Sequence, residues 1–142
     1  MRARFLRRGL TVAAVGLVAL TLTACSPPDS TALRLNGDGT VSFVSCDEVD
    51  VVSVRSMTYV RTGLFGQIDH SRTVDMIPPD PLDQVVPGAV YTFELGTDDW
   101  NRIFISVEDR EGGGATAILE GTDHEAGVWI WSNPRSKCVI DE

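Results

Sequence analysis

The 142-residue chain is poor in the groups that most enzymatic and metal chemistry requires. It has two histidines, His70 and His124, and neither has a second histidine at helical spacing, so the zinc-protease pattern is absent. No G-x-S-x-G elbow, phosphate loop or dinucleotide fingerprint occurs, which leaves hydrolase and nucleotide chemistry without support. Asn36-Gly37-Asp38-Gly39 resembles the start of a calcium loop. An EF-hand beginning at Asn36 would need glycine at its sixth position and glutamate at its twelfth, where Val41 and Asp47 stand. The paired acids Asp98-Asp99 and Glu108-Asp109 fall at turns or strand ends and read as surface charge. No catalytic residue, metal site or cofactor is therefore expected.

Positive charge is also scarce. Lys and Arg number 12 against 20 acids, and arginine far exceeds lysine. Four of those cations, Arg2, Arg4, Arg7 and Arg8, precede any acid. Without the first 24 residues the balance is 8 − 20 = −12. Such a surface is soluble and repels nucleic acid and anionic headgroups, so nucleic-acid binding is not expected.

The N-terminus departs from this pattern. Four arginines are followed by an apolar run from Gly9 to Leu22, shorter than the ~20 residues a membrane-spanning helix needs. A charged start, a short apolar run and small residues at its end describe a secretory signal over residues 1–24. The run ends in Leu22-Thr23-Ala24-Cys25, which resembles the lipobox of bacterial lipoproteins. The resemblance implies diacylglyceryl transfer to the Cys25 thiolate and cleavage between Ala24 and Cys25. It implies further a palmitate-type lipid anchor in the cell membrane, with the protein on the extracytoplasmic side. Ser26-Pro27-Pro28-Asp29-Ser30-Thr31 follows, small and polar with two prolines, so residues 25–31 read as an extended tether.

The remaining 32–142 show alternation and no helical period. Leu33 and Leu35 alternate before the Asn36–Gly39 turn, and Val41 and Phe43 alternate after it, which predicts a hairpin. A longer strand is predicted over Val49–Arg61, with Val52, Val54 and Val60 on one parity. Further strands are predicted over Val90–Leu95, Arg102–Glu108, Ala115–Glu120 and Val128–Ser132, separated by glycine-rich turns. The fold class is all-β: a single antiparallel β-sandwich of about seven strands, with a small closed barrel as the alternative. Thr62–Pro87, with Pro78, Pro79, Pro81 and Pro87, carries little strand signal and reads as a long loop capping one end, with Leu64-Phe65 as its plug.

With Cys25 assigned to lipid, Cys46 and Cys138 form an even remainder that predicts a disulfide in an oxidising compartment. Trp129 and Trp131 share one strand face by the period of two. If the aliphatic face of Val128 and Ile130 is the core, the indoles stand outward as a possible ligand-binding pair able to stack on sugar rings. If the indoles fill the core, they bind nothing; because tryptophans are largely buried on average, the core reading is preferred. Two functions follow. One is a non-catalytic module that binds an envelope protein. The other is a carbohydrate or cell-wall glycan binder using Trp129 and Trp131.

Overall fold

Alternating apolar side chains along short strands require two sheets to face each other, and the computed structural model, which describes residues 29–142, shows this arrangement. The signal sequence, Cys25 and the two tether prolines lie outside the described residues. The first sheet is built on a hairpin of β1 (Thr31–Leu35) and β2 (Thr40–Ser45). Its turn needs positive φ at Gly37 and Gly39, which only glycine adopts freely. The Asp38 carboxylate accepts from the hydroxyl and amide of Thr40, and the Thr40 hydroxyl holds it below the usual carboxylate range. β6 (Tyr91–Glu94) pairs with β2, and the two-residue β9 (Ile130–Trp131) pairs with β1, giving the order β6-β2-β1-β9.

The second sheet has the order β4-β3-β7-β8, from β4 (Gln67–Asp75), β3 (Val49–Thr62), β7 (Arg102–Asp109) and β8 (Gly114–Glu120). The short β5 (Gln84–Val85) pairs with the start of β3. Every strand pairing is antiparallel. Leu33, Val41, Phe43 and Phe93 of the first sheet meet Ile103, Ile105, Val107 and Leu119 of the second. Phe43 and Phe93 pack edge to face, centroids 6.3 Å apart, the arrangement their ring quadrupoles favour. The Cys46–Cys138 disulfide is present, with Cα atoms 5.5 Å apart, and ties the C-terminal tail to the end of β2.

Four expectations are corrected. The 62–87 segment is not an irregular cap, since it supplies β4 and β5, which bring the strands among the described residues to nine. β4 escaped detection because it is a half-exposed edge strand with polar residues on both faces. Leu64 and Phe65 are not a plug: they are 100% and 91% exposed at the tip of the β3–β4 hairpin. Val52, Val54 and Val60 do not share a face, because register shifts at Val51/Ser53 and Thr58/Val60 break the parity; Val52 is exposed and Val60 buried. Finally, the domain begins inside the segment read as tether. Thr31 opens β1 fully buried, and the Asp29 carboxylate accepts from the Thr116 amide at 2.7 Å.

Candidate interaction surfaces

β9 pairs Ile130 with Leu33 and Trp131 with Ala32. Ile130 packs on the core whereas Val128 is exposed, and neither tryptophan belongs to the core cluster. Both indoles are half-buried, and their surroundings differ. The Arg34 guanidinium lies 4.5 Å from the Trp129 centroid, within cation–π range. Trp129 Nε1 donates to the Glu142 carboxylate at 3.1 Å, and Glu142 also pairs with Arg34. The indole hydrogen bond, aided by Arg34, holds the Glu142 carboxyl below its usual range. Trp129 is thus clasped by the chain's own C-terminus.

Trp131 instead lines a cleft of about 650 Å³ between the edge strands β8 and β9. Asp29, Arg102, Glu120 and His124 line it too, a set that could suggest acid–base chemistry. Each already holds a structural bond. Asp29 caps the Thr116 amide, while the Thr31 hydroxyl donates to the Thr116 carbonyl at 2.8 Å. His124 Nε2 lies 2.7 Å from the Glu120 carbonyl oxygen, and Arg102 pairs with the Glu120 carboxylate at 2.7 Å. These contacts occupy backbone groups that an edge strand would otherwise offer to another chain. Among the described residues the cleft shows no Ser–His or Cys–His pair in hydrogen-bond contact.

A second surface was not flagged by the sequence reading. Along β3 the usual polarity is inverted. Ser56 and Thr58 are buried, with hydroxyls donating to the Met76 and Val74 carbonyls at 3.2 and 3.3 Å. Arg55, Met57 and Tyr59 therefore occupy the outer face of the second sheet, Arg55 exposed, Met57 half-buried and Tyr59 buried beside Arg61 and Arg102. There they join Phe104 of β7 and Ile68 of β4 around a shallow pocket of about 150 Å³. The Arg55 guanidinium lies 6.0 Å from the Phe104 ring, and those of Arg61 and Arg102 lie 5.9 and 5.8 Å from the Tyr59 ring. Among the described residues the ion pairs are Arg34–Glu142, Arg72–Asp99, Arg102–Glu120 and Arg110–Asp50, so Arg55 and Arg61 have no carboxylate partner. Beyond Arg61 the β3–β4 hairpin ends in the exposed Leu64 and Phe65, in a turn that needs positive φ at Gly63 and Gly66. Arginine, methionine and aromatic residues are the types enriched where proteins meet. The signal lies in Arg55-x-Met57-x-Tyr59-x-Arg61, the parity of the predicted strand opposite Val52, Val54 and Val60, which leaves Ser56 and Thr58 on the valine side.

The remaining singled-out residues stand apart. His70 is exposed on β4, beside an Asp69 carboxylate that accepts from the Ser71 hydroxyl and is held by it below the usual range. Asp99 pairs with Arg72. Trp100 packs against the core just before β7. Among the described residues no group of three or more His, Cys, Asp or Glu side chains converges as a metal site. No family model, curated protein or solved structure matches this chain.

Proposed function

We propose that this protein is a lipoprotein of the bacterial cell envelope, anchored through Cys25 on the extracytoplasmic side of the membrane, whose sandwich is a non-catalytic module for binding another envelope protein. The anchor rests on Leu22-Thr23-Ala24-Cys25 at the end of the apolar run. A disulfide between the other two cysteines is in keeping with an oxidising compartment. The binding reading is carried by the outer face of the second sheet, where Arg55, Met57, Tyr59, Ile68 and Phe104 form an arginine–aromatic patch, with Arg61 beside Tyr59, and where Arg55 and Arg61 are unpaired cations in an acidic chain. A photo-crosslinking residue at Met57 in living cells tests it. A discrete protein adduct that is lost in Phe104→Ala, with the melting temperature kept, is the expected result. Labelling of no protein, or labelling indifferent to Phe104→Ala, argues against the reading.

One observation favours a second reading. Trp131 and Ile130 form an apolar wall beside Arg102 and Glu120 in the β8–β9 cleft, a setting in which a sugar ring could stack. Purified peptidoglycan sedimented with the full chain tests it. Glycan binding through the cleft predicts that Trp131→Ala abolishes co-sedimentation and that Phe104→Ala does not.

A further inference from the structure

We infer that residues 132–142 form a strap over the outer face of the first sheet, fastened by the Cys46–Cys138 bond, and that reduction of this bond releases the strap together with β9, removing the Trp131 wall of the β8–β9 cleft. The gate is independent of what the cleft binds.

Parity reveals the strap. Leu33 and Phe43 face the core, so Ala32 and Val44, their neighbours along β1 and β2, point to the opposite face. Neither belongs to the core cluster, yet both are fully buried, where an uncovered outer face would leave them in water. Contacts from residues 132–142 ring this pair. Ser136 bonds the Ser30 hydroxyl at 2.7 Å just before β1, and Cys138 joins Cys46 just after β2. The Asp141 amide donates to the Gly88 carbonyl at 2.9 Å, and Glu142 pairs with Arg34, two residues beyond Ala32 on the same face.

The covalent bond is the strong fastener among these. The Ser30–Ser136 and Arg34–Glu142 contacts are solvent-exposed, where such bonds contribute little. The segment buries little of its own: Val139 is 81% exposed, and Pro134, Arg135 and Lys137 are exposed too. β9 is two residues long, pairs only with β1 and runs straight into the strap, so it leaves with it. Among the described residues the buried core cluster takes none from 132–142, so the two sheets stay packed when the strap goes. Both cysteines are half-buried, within reach of a dithiol. That dithiol closes to its own disulfide as Cys46 and Cys138 each gain a hydrogen.

The test follows the isotopically labelled full chain in detergent by NMR as dithiothreitol is added. The expected result is that the amides of Trp131, Ser132 and Asp141 and the Trp129 indole N–H move to free-peptide positions and exchange with solvent at least about tenfold faster, while the Ile103 and Ile105 amides keep their folded positions. Reoxidation should restore the spectrum, and Cys46→Ser with Cys138→Ser should show the released spectrum without reductant. In the oxidised chain Ser30→Ala should leave the segment fastened. Signals of 132–142 that stay in place on reduction overturn the strap, because the bond is then not its fastener, and so does release in oxidised Ser30→Ala. Loss of the Ile103 and Ile105 positions along with the segment overturns it as well, because the bond then holds the whole fold.

Discussion

Arg34 lies over Trp129, its guanidinium 4.5 Å from the ring centroid, although the two are far apart in sequence. Glu142 closes the arrangement by accepting from the indole and pairing with the arginine. Glu142 thus makes a tertiary contact, and the tail is held further by the Cys46–Cys138 bond, by the Asp141 amide donating to the Gly88 carbonyl at 2.9 Å and by Ser136 bonding Ser30 at 2.7 Å.

The clasp carries a pH signature. Because Glu142 titrates lower when folded, its contribution is fully present above the unfolded glutamate value of ~4.3 and is lost as pH falls through the lower folded value. The indole N–H resonance of Trp129 should hold steady from about pH 8 to 5 and move on further acidification. Glu142→Ala should abolish that movement. A resonance that titrates between pH 5 and 8 would mean another group controls the indole.

Loss of the disulfide should be costly. The bond closes a loop of 92 residues, worth on the order of 4–5 kcal/mol in the chain-entropy treatment. Denaturant unfolding of Cys46→Ser with Cys138→Ser should show a decrease of that order against the oxidised parent. Two free thiols in protein isolated without reductant would remove the basis of the prediction.

The tight turn between β7 and β8 depends on one glycine more than on its neighbours. A Cβ at Gly114, at φ +133°, would lie 1.9 Å from the Val107 carbonyl oxygen, whereas one at Gly113 meets nothing within 4 Å. Gly114→Ala should therefore cost at least ~3 kcal/mol, from backbone displacement added to conformational strain. Gly113→Ala should cost about 1–2 kcal/mol, the left-handed penalty alone. Equal losses in thermal melts would contradict this.

Burial separates two phenylalanines in the same way. Phe93 is fully buried against Phe43, and Phe93→Ala should cost ~3–5 kcal/mol. Phe65→Ser should leave stability within about 0.5 kcal/mol, since Phe65 touches solvent on nearly every side. A large loss on Phe65→Ser would show that the tip is packed after all.

The sequence made the sandwich legible wherever alternation is regular. Leu33, Val41 and Phe43, and then Ile103, Ile105 and Val107, repeat at the period of two that one buried face demands, and all are core. The Cys46–Cys138 pairing was readable by counting once Cys25 was set aside. β4 was not readable, because an edge strand with Asp69, His70 and Arg72 in it has no apolar face to announce it. The arginine–aromatic surface escaped for a related reason. Ser56 and Thr58 can face the core only because Met76 and Val74 supply carbonyl acceptors, a long-range pairing that no local pattern encodes. The tryptophans were ambiguous because their face depends on whether Ile130 or the indoles meet Leu33, and that is a matter of register.

The central claim is that the domain works from a lipid on Cys25, and the most direct measurement is the intact mass of the mature chain extracted from membranes. The account predicts a chain that begins at Cys25, carries a diacylglyceryl group on that residue, and is two hydrogens lighter than the reduced sequence because Cys46 and Cys138 are joined. In Cys25→Ser that species should vanish from the membrane fraction. A wild-type chain recovered with an unmodified Cys25, or cleaved at another residue, would contradict the account.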